Sequence, residues 1–163
     1  MSTISPDPHR PLKDAFGRFA TGITLAGCVN AHGAPTVITV NSFTSVSLEP
    51  PLVLWCLENK AASYKAFYDA SHYGISILRA DQEDMSNRFA GYQPAPLQAD
   101  EMAPTKSGAP VLKACLASFD CKIVDRHRAG DHLILIGEVE GFTSTEGEPL
   151  IYFASQYGCG PHS

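Results

Sequence analysis

The sequence predicts a mainly β protein, an antiparallel barrel carrying two or three short peripheral helices. Three observations lead there. About seven short strand-like runs follow one another through turns rich in Gly, Pro, Asn and Asp. Helical periodicity is confined to three brief segments. No regular β-α-β alternation occurs, and no G-x-G-x-x-G follows a strand, which argues against a doubly wound nucleotide-binding sheet.

The elements follow in order. Pro11 to Ala20 reads as a helix, because Leu12, Ala15, Phe16 and Phe19 recur at i, i+3, i+4 and i+7 and Pro11 suits the first helical position. Thr21 to Asn30 reads as a strand. His32-Gly33-Ala34-Pro35 turns the chain into a second, β-branched strand, Thr36 to Ser42. Pro50-Pro51 breaks the chain, and Leu52 to Leu57, apolar on both faces, predicts a buried strand. Ala61 to Ala70 predicts a short helix with Tyr64, Phe67 and Tyr68 on one face. Tyr73 to Leu78 is the next strand. Asp81 is placed to cap a helix that stacks Met85 on Phe89 and stops at Gly91.

Tyr92 to Pro110 carries four prolines and few large apolar residues, so it predicts a long surface loop of functional interest. Ala117 to Val124 alternates with period two. Gly130-Asp131 turns it back into His132 to Phe142, and Pro149 to Phe153 is the last predicted strand.

Bulk properties bound the function. The chain has 163 residues, 44% hydrophobic and 18% charged, which suits one domain spanning 1–163 with residues 1–10 as a disordered lead-in. A net charge of −5 argues against nucleic-acid and membrane-surface partners, which want a basic face. An anionic ligand must then be held by a local site. No run approaches the roughly 20 apolar residues that span a bilayer, and the N-terminus lacks the basic-then-apolar order of a signal peptide. The cysteines, Cys28, Cys56, Cys115, Cys121 and Cys159, are odd in number and lack C-x-x-C spacing. They read as reduced thiols of a cytoplasmic protein. His72, His127 and His132 are too scattered to predict a metal site.

The most informative stretch is Thr39 to Leu57. Asn41, Ser42, Thr44, Ser45 and Ser47 crowd short polar side chains into a few positions. Such residues leave backbone N–H groups accessible and add hydroxyl donors, which suits a polar, phosphate-bearing ring. The competing reading is a Ser/Thr-rich edge strand leading into a turn.

Taken with Phe16-Gly17-Arg18-Phe19-Ala20-Thr21-Gly22 upstream, and Asn87-Arg88-Phe89, Gly130-Asp131-His132 and Ile136-Gly137-Glu138-Val139 downstream, this stretch resembles the flavin reductase family. The resemblance covers about Leu12 to Phe153, and it rests on the order and spacing of motifs that are individually weak. It implies the FMN-binding split-barrel fold. It also implies a homodimer that transfers a hydride from NADH or NADPH to FMN or FAD and supplies reduced flavin to a separate monooxygenase. In that chemistry the cofactors react, while the protein orients them, so no catalytic acid–base constellation is expected.

By the same resemblance, Thr39, Val40, Asn41, Ser42, Phe43, Thr44 and Ser45 lie along the flavin ring and ribityl chain, with Cys56 and Leu57 beside them. Lys60 and Ser63 would face the flavin phosphate; the alternatives are a solvated lysine and an ordinary first-turn serine. Arg88 would face the phosphate end too, or else complement a helix C-terminus. His132 would contact the nicotinamide, or else be a polar residue at a hairpin rim. The family's arginine after the last strand has no counterpart in Phe153-Ala154-Ser155-Gln156-Tyr157-Gly158, and the loop from Tyr92 to Pro110 is short for the family. Two rival readings remain: a non-catalytic flavin-binding or sensory protein, and a split-barrel oxidase or binder of another planar cofactor.

Overall fold

A computed structural model describes residues 7–91 and 94–160. Seven strands build the main sheet. They are β2 (Thr24–Val29), β3 (Pro35–Val40), β4 (Thr44–Leu48), β5 (Pro51–Glu58), β6 (His72–Ile77), β9 (Ala117–Ala129) and β10 (His132–Ser144), in the order β3-β2-β6-β9-β10-β5-β4. All neighbours are antiparallel. The two edge strands, β3 and β4, are consecutive in sequence and joined only by residues 41–43. So short a link brings the edges together, and the sheet curls into a barrel whose split lies at Asn41–Phe43. This is the antiparallel barrel that the strand and turn pattern predicts, in the split form that the resemblance implies.

A small sheet pairs β1 (Thr21–Gly22) with β11 (Leu150–Phe153) and β11 with β12 (Gln156–Cys159). A third pairs β7 (Met102–Ala103) with β8 (Val111–Leu112). The helices are α1 (Arg10–Phe16), α2 (Tyr64–Asp69) and α3 (Glu83–Ala90).

Two apolar clusters hold these parts. The barrel interior packs Trp55, Phe67, Tyr73, Ile75, Leu133 and Leu135, with Trp55 edge-on to Phe67 and Tyr73. The second cluster, with Leu25, Leu78, Phe89, Leu97, Leu112 and Leu150, lies under α3 and the segment that follows it. Strand β2 serves both: Ala26 and Cys28 face the interior and Leu25 the outer cluster. Gly27 and Gly74 let Pro110 press on the sheet, since a Cβ at Gly74 would stand 2.3 Å from the Pro110 carbonyl oxygen.

The structure departs from the sequence reading in several places. Helix α1 ends at Phe16 because the Gly17 carbonyl turns away to accept a hydrogen bond from Ala154 N–H at 2.8 Å. Asp7 joins the ordered chain ahead of α1, with its carboxylate bonded to His9 N–H and Lys13 Nζ; residues 1–6 of the expected lead-in lie outside the described residues. Strand β5 is buried on one face only: Val53, Trp55 and Leu57 point inward, whereas Leu52, Leu54 and Cys56 are half-exposed.

Asp81 does not cap α3. Its carboxylate binds the Arg79 guanidinium at 2.9 and 3.0 Å, and Gln82 closes the turn by accepting from Arg79 N–H. The expected surface loop buries Leu97 and Ala109 and contributes β7; Tyr92 and Gln93 lie outside the described residues. Strand β12 was not predicted, because its hairpin turns at Ala154-Ser155, both at positive φ (49° and 64°), without the Gly or Asn that announces such a turn.

Candidate functional site

Strand β3, the turn from β5 into α2, the end of α3 and the Pro94–Leu97 segment enclose a cleft of about 610 Å³. A second cleft of about 640 Å³ continues from it, sharing Thr36, Ala62 and Ser63 and reaching Asn30, His32 and Lys65. The β5–α2 turn is tight: Ala61 N–H donates to the Glu58 carbonyl and Tyr64 N–H to that of Ala61, both at 3.0 Å. It presents Lys60 and Ser63 to the first cleft. Lys60 is exposed and forms no ion pair with any described residue. The Ser63 hydroxyl oxygen is buried and has no hydrogen-bond partner among the described residues. Both residues line this cleft, and an ammonium and a hydroxyl without partners among the described residues suit an anionic, oxygen-rich group.

The predicted site residues separate into groups. Thr39 lines the same cleft as Lys60 and Ser63, and its hydroxyl donates to the Ser86 carbonyl at 2.7 Å, tying β3 to α3. Val40 packs on the interior cluster and its carbonyl accepts from the Thr24 hydroxyl. Asn41, Ser42 and Phe43 form the split. Ser42 Oγ accepts from Cys56 N–H at 2.9 Å, and Phe43 stacks on Phe119 at 5.8 Å. Thr44 and Ser45 are exposed on edge strand β4, as the edge-strand reading expects, and line neither cleft. Burial pushes the Cys56 thiol up, against a hydrogen bond from Ser42 that lowers it. Leu57 is a core side chain, 1% exposed, and offers a ligand only its backbone.

Arg88 does not line the cleft, although Phe89, Ala90 and Gly91 do. Its guanidinium binds both carboxylate oxygens of Glu101, at 2.7 and 3.1 Å, donates to the Ala95 and Pro96 carbonyls and touches Met85 sulfur. In this arrangement its N–H groups are occupied by protein, and none is turned to a phosphate. Neither spacing nor motif announced Glu101, thirteen positions away in a proline-rich segment.

His132 opens β10 directly opposite Glu58, which lines the cleft. Its Nδ1 meets Asp131 Oδ1 at 2.7 Å, and this bond holds the Asp131 carboxyl below its usual range. Asn59, whose role the sequence did not reveal, fixes the Gly130-Asp131 turn: its N–H donates to the Asp131 carbonyl at 2.8 Å and its side chain to that of Gly130 at 3.4 Å. The imidazole is 43% exposed, and His132 is not itself among the residues lining either cleft.

Residues 16–160 match the family model of the flavin reductase like domain. This chain belongs to the flavin reductase family. It is 39% identical to an FMN reductase (NADH), SmoA, of Agrobacterium fabrum, over 91% of this chain and 84% of that one. It is 41% identical to the reductase component of a flavin-dependent trigonelline monooxygenase of Acinetobacter baylyi. That match covers 91% of this chain but only 48% of the relative, so the chain spans about half the length of such larger reductases. Among solved structures it resembles the flavin reductase PheA2, with a TM-score of 0.87 and 35% identity over 96% of this chain and all of that one. The family and the fold that the sequence motifs imply are those found.

Proposed function

We propose that this chain is an NAD(P)H:flavin oxidoreductase that passes a hydride from the nicotinamide to FMN or FAD and supplies reduced flavin to a separate monooxygenase. The observation that carries the proposal is Lys60 together with the buried Ser63 hydroxyl, both without partners among the described residues, in the cleft of a flavin reductase family member. A bound flavin supplies the redox chemistry, accepting the hydride on its ring. The protein's own residues bind and orient. Lys60 and Ser63 hold the phosphate end, and Thr39 to Ser45 with Cys56 and Leu57 border the ring through backbone groups at the split. His132 meets the nicotinamide at the rim, where an imidazole N–H or lone pair can engage a carboxamide. Arg88 holds the wall of the cleft.

We further infer a homodimer. Helix α1 has no buried residue, and Phe16, Leu48 and Phe142 are 69%, 94% and 72% exposed. Such apolar surface asks for a cover, and a second copy of the chain is the cover that fits a flavin reductase. No described helix is long and apolar enough to cross a membrane. The free cysteines fit the reducing cytoplasm. The test is direct: NADH or NADPH is mixed with purified protein, with and without FMN, FAD or riboflavin. Flavin-dependent loss of nicotinamide absorbance is the expected result. Its absence with both nucleotides would leave the non-catalytic flavin-binding reading in its place.

A further inference from the structure

The Pro94–Leu97 segment forms one wall of the cleft that Lys60 and Ser63 also line. Little regular structure holds it. Its backbone carbonyls at Ala95 and Pro96 are instead gripped by the Arg88 guanidinium, which is itself anchored on both oxygens of Glu101. Glu101 is fixed in turn. Its Oε2 accepts from Gln98 N–H at 2.8 Å, and its carbonyl accepts from Lys113 N–H at 2.8 Å. The guanidinium also lies 4.7 Å over the ring of Phe89, a residue of the outer core and of the cleft lining. The ion pair is partly buried, with side chains 24% and 27% exposed. A planar fork with five donors is the group that can hold two carbonyls and a carboxylate together, and lysine cannot replace it.

We propose that the Arg88–Glu101 pair is a positioning latch for flavin: it sets the Pro94–Leu97 wall of the flavin cleft, so that flavin affinity depends on a carboxylate that does not touch flavin. The inference rests on the reading of this cleft as the flavin site. It differs from a phosphate-ligand role for Arg88 in the sign of a measurable effect. A latch broken at Glu101 loosens an apolar wall made of prolines and a leucine, and that wall serves FMN and riboflavin alike. If Arg88 were a phosphate ligand held back by Glu101, removing the carboxylate's charge would release it, and FMN alone would bind more tightly.

The experiment is a flavin fluorescence titration with FMN and with riboflavin, on the wild type and on Glu101→Gln, with Arg88→Lys as the second variant and melting temperatures for all three. Glu101→Gln is expected to weaken both flavins in step, roughly five- to tenfold. Arg88→Lys, which keeps the charge but not the fork, is expected to do the same. In steady-state kinetics the loss should fall on the KM for flavin and not on kcat, since no contact made only in the transition state is lost. Tighter FMN binding with unchanged riboflavin would overturn the latch and make Glu101 a competitor for Arg88. A lowered melting temperature with unchanged affinities would make the pair merely structural, and would overturn it too. A wild type that binds neither flavin would instead refute the cleft assignment beneath it.

Discussion

Ser42 Oγ accepts a hydrogen bond from Cys56 N–H at 2.9 Å and donates to the Cys56 carbonyl at 3.2 Å, so one hydroxyl stands in for a missing strand. Strand β4 pairs with β5 only as far as Thr44 opposite Leu54. Beyond that point the Cys56 amide would face the split unpaired. Ser42→Ala should therefore lower the urea midpoint at unchanged m-value, by a stability loss of about 1–3 kcal/mol. An unchanged midpoint would mean that water replaces the hydroxyl without cost.

Lys60→Ala should weaken FMN binding while leaving riboflavin binding nearly unchanged. A charge-assisted contact to phosphate is worth on the order of 1.5–3 kcal/mol when partly buried, or roughly a 10- to 100-fold change in Kd. Parallel titrations with the two flavins read the difference. Equal losses, or none, would return Lys60 to the status of a solvated surface residue.

His132→Ala should raise the KM for NADH or NADPH, or lower turnover, by an amount corresponding to about 1–2 kcal/mol, with flavin affinity little changed. The loss is one hydrogen bond and some packing. A drop of many orders of magnitude in steady-state kinetics would demand a proton-transfer role that the rim position beside Asp131 does not provide.

Burial pushes the Cys28 and Cys121 thiols up to about 12. Both should resist a thiol-specific reagent in the native protein and react once it is denatured. The sign of the accompanying pH effect follows from linkage. The folded chain keeps protons that the unfolded chain releases above about pH 8.5, so this contribution is intact below that pH and is lost as pH rises toward 12. A melting temperature that does not fall between pH 9 and 11 would contradict the burial of these groups.

Much of the barrel was legible in the sequence because its signals are local. The alternation of Ala117 to Val124, the Gly130-Asp131 turn and the β-branched run after Gly33 each fix a strand through nearest neighbours. The elements that were missed lack such signals. Strand β12 turns on Ala154-Ser155, and β4 owes its pairing to β5, not to any apolar period of its own. Asp81 looks like a helix cap by type and spacing, yet Arg79 two residues away takes its carboxylate first.

The sequence by itself determined the fold class, the family and the hydroxyl-rich stretch at the split, since strand period, turn chemistry and motif order are properties of the chain alone. Tertiary structure decided which of the named residues share a cleft. It gathered Thr39, Lys60 and Ser63, set His132 opposite Glu58, and turned Arg88 away to Glu101. The physical reason is that a guanidinium is committed by whichever carboxylate and carbonyls the fold brings within about 3 Å of it, and that proximity is set by the packing of α3 against a proline-rich segment, which no spacing along the chain encodes.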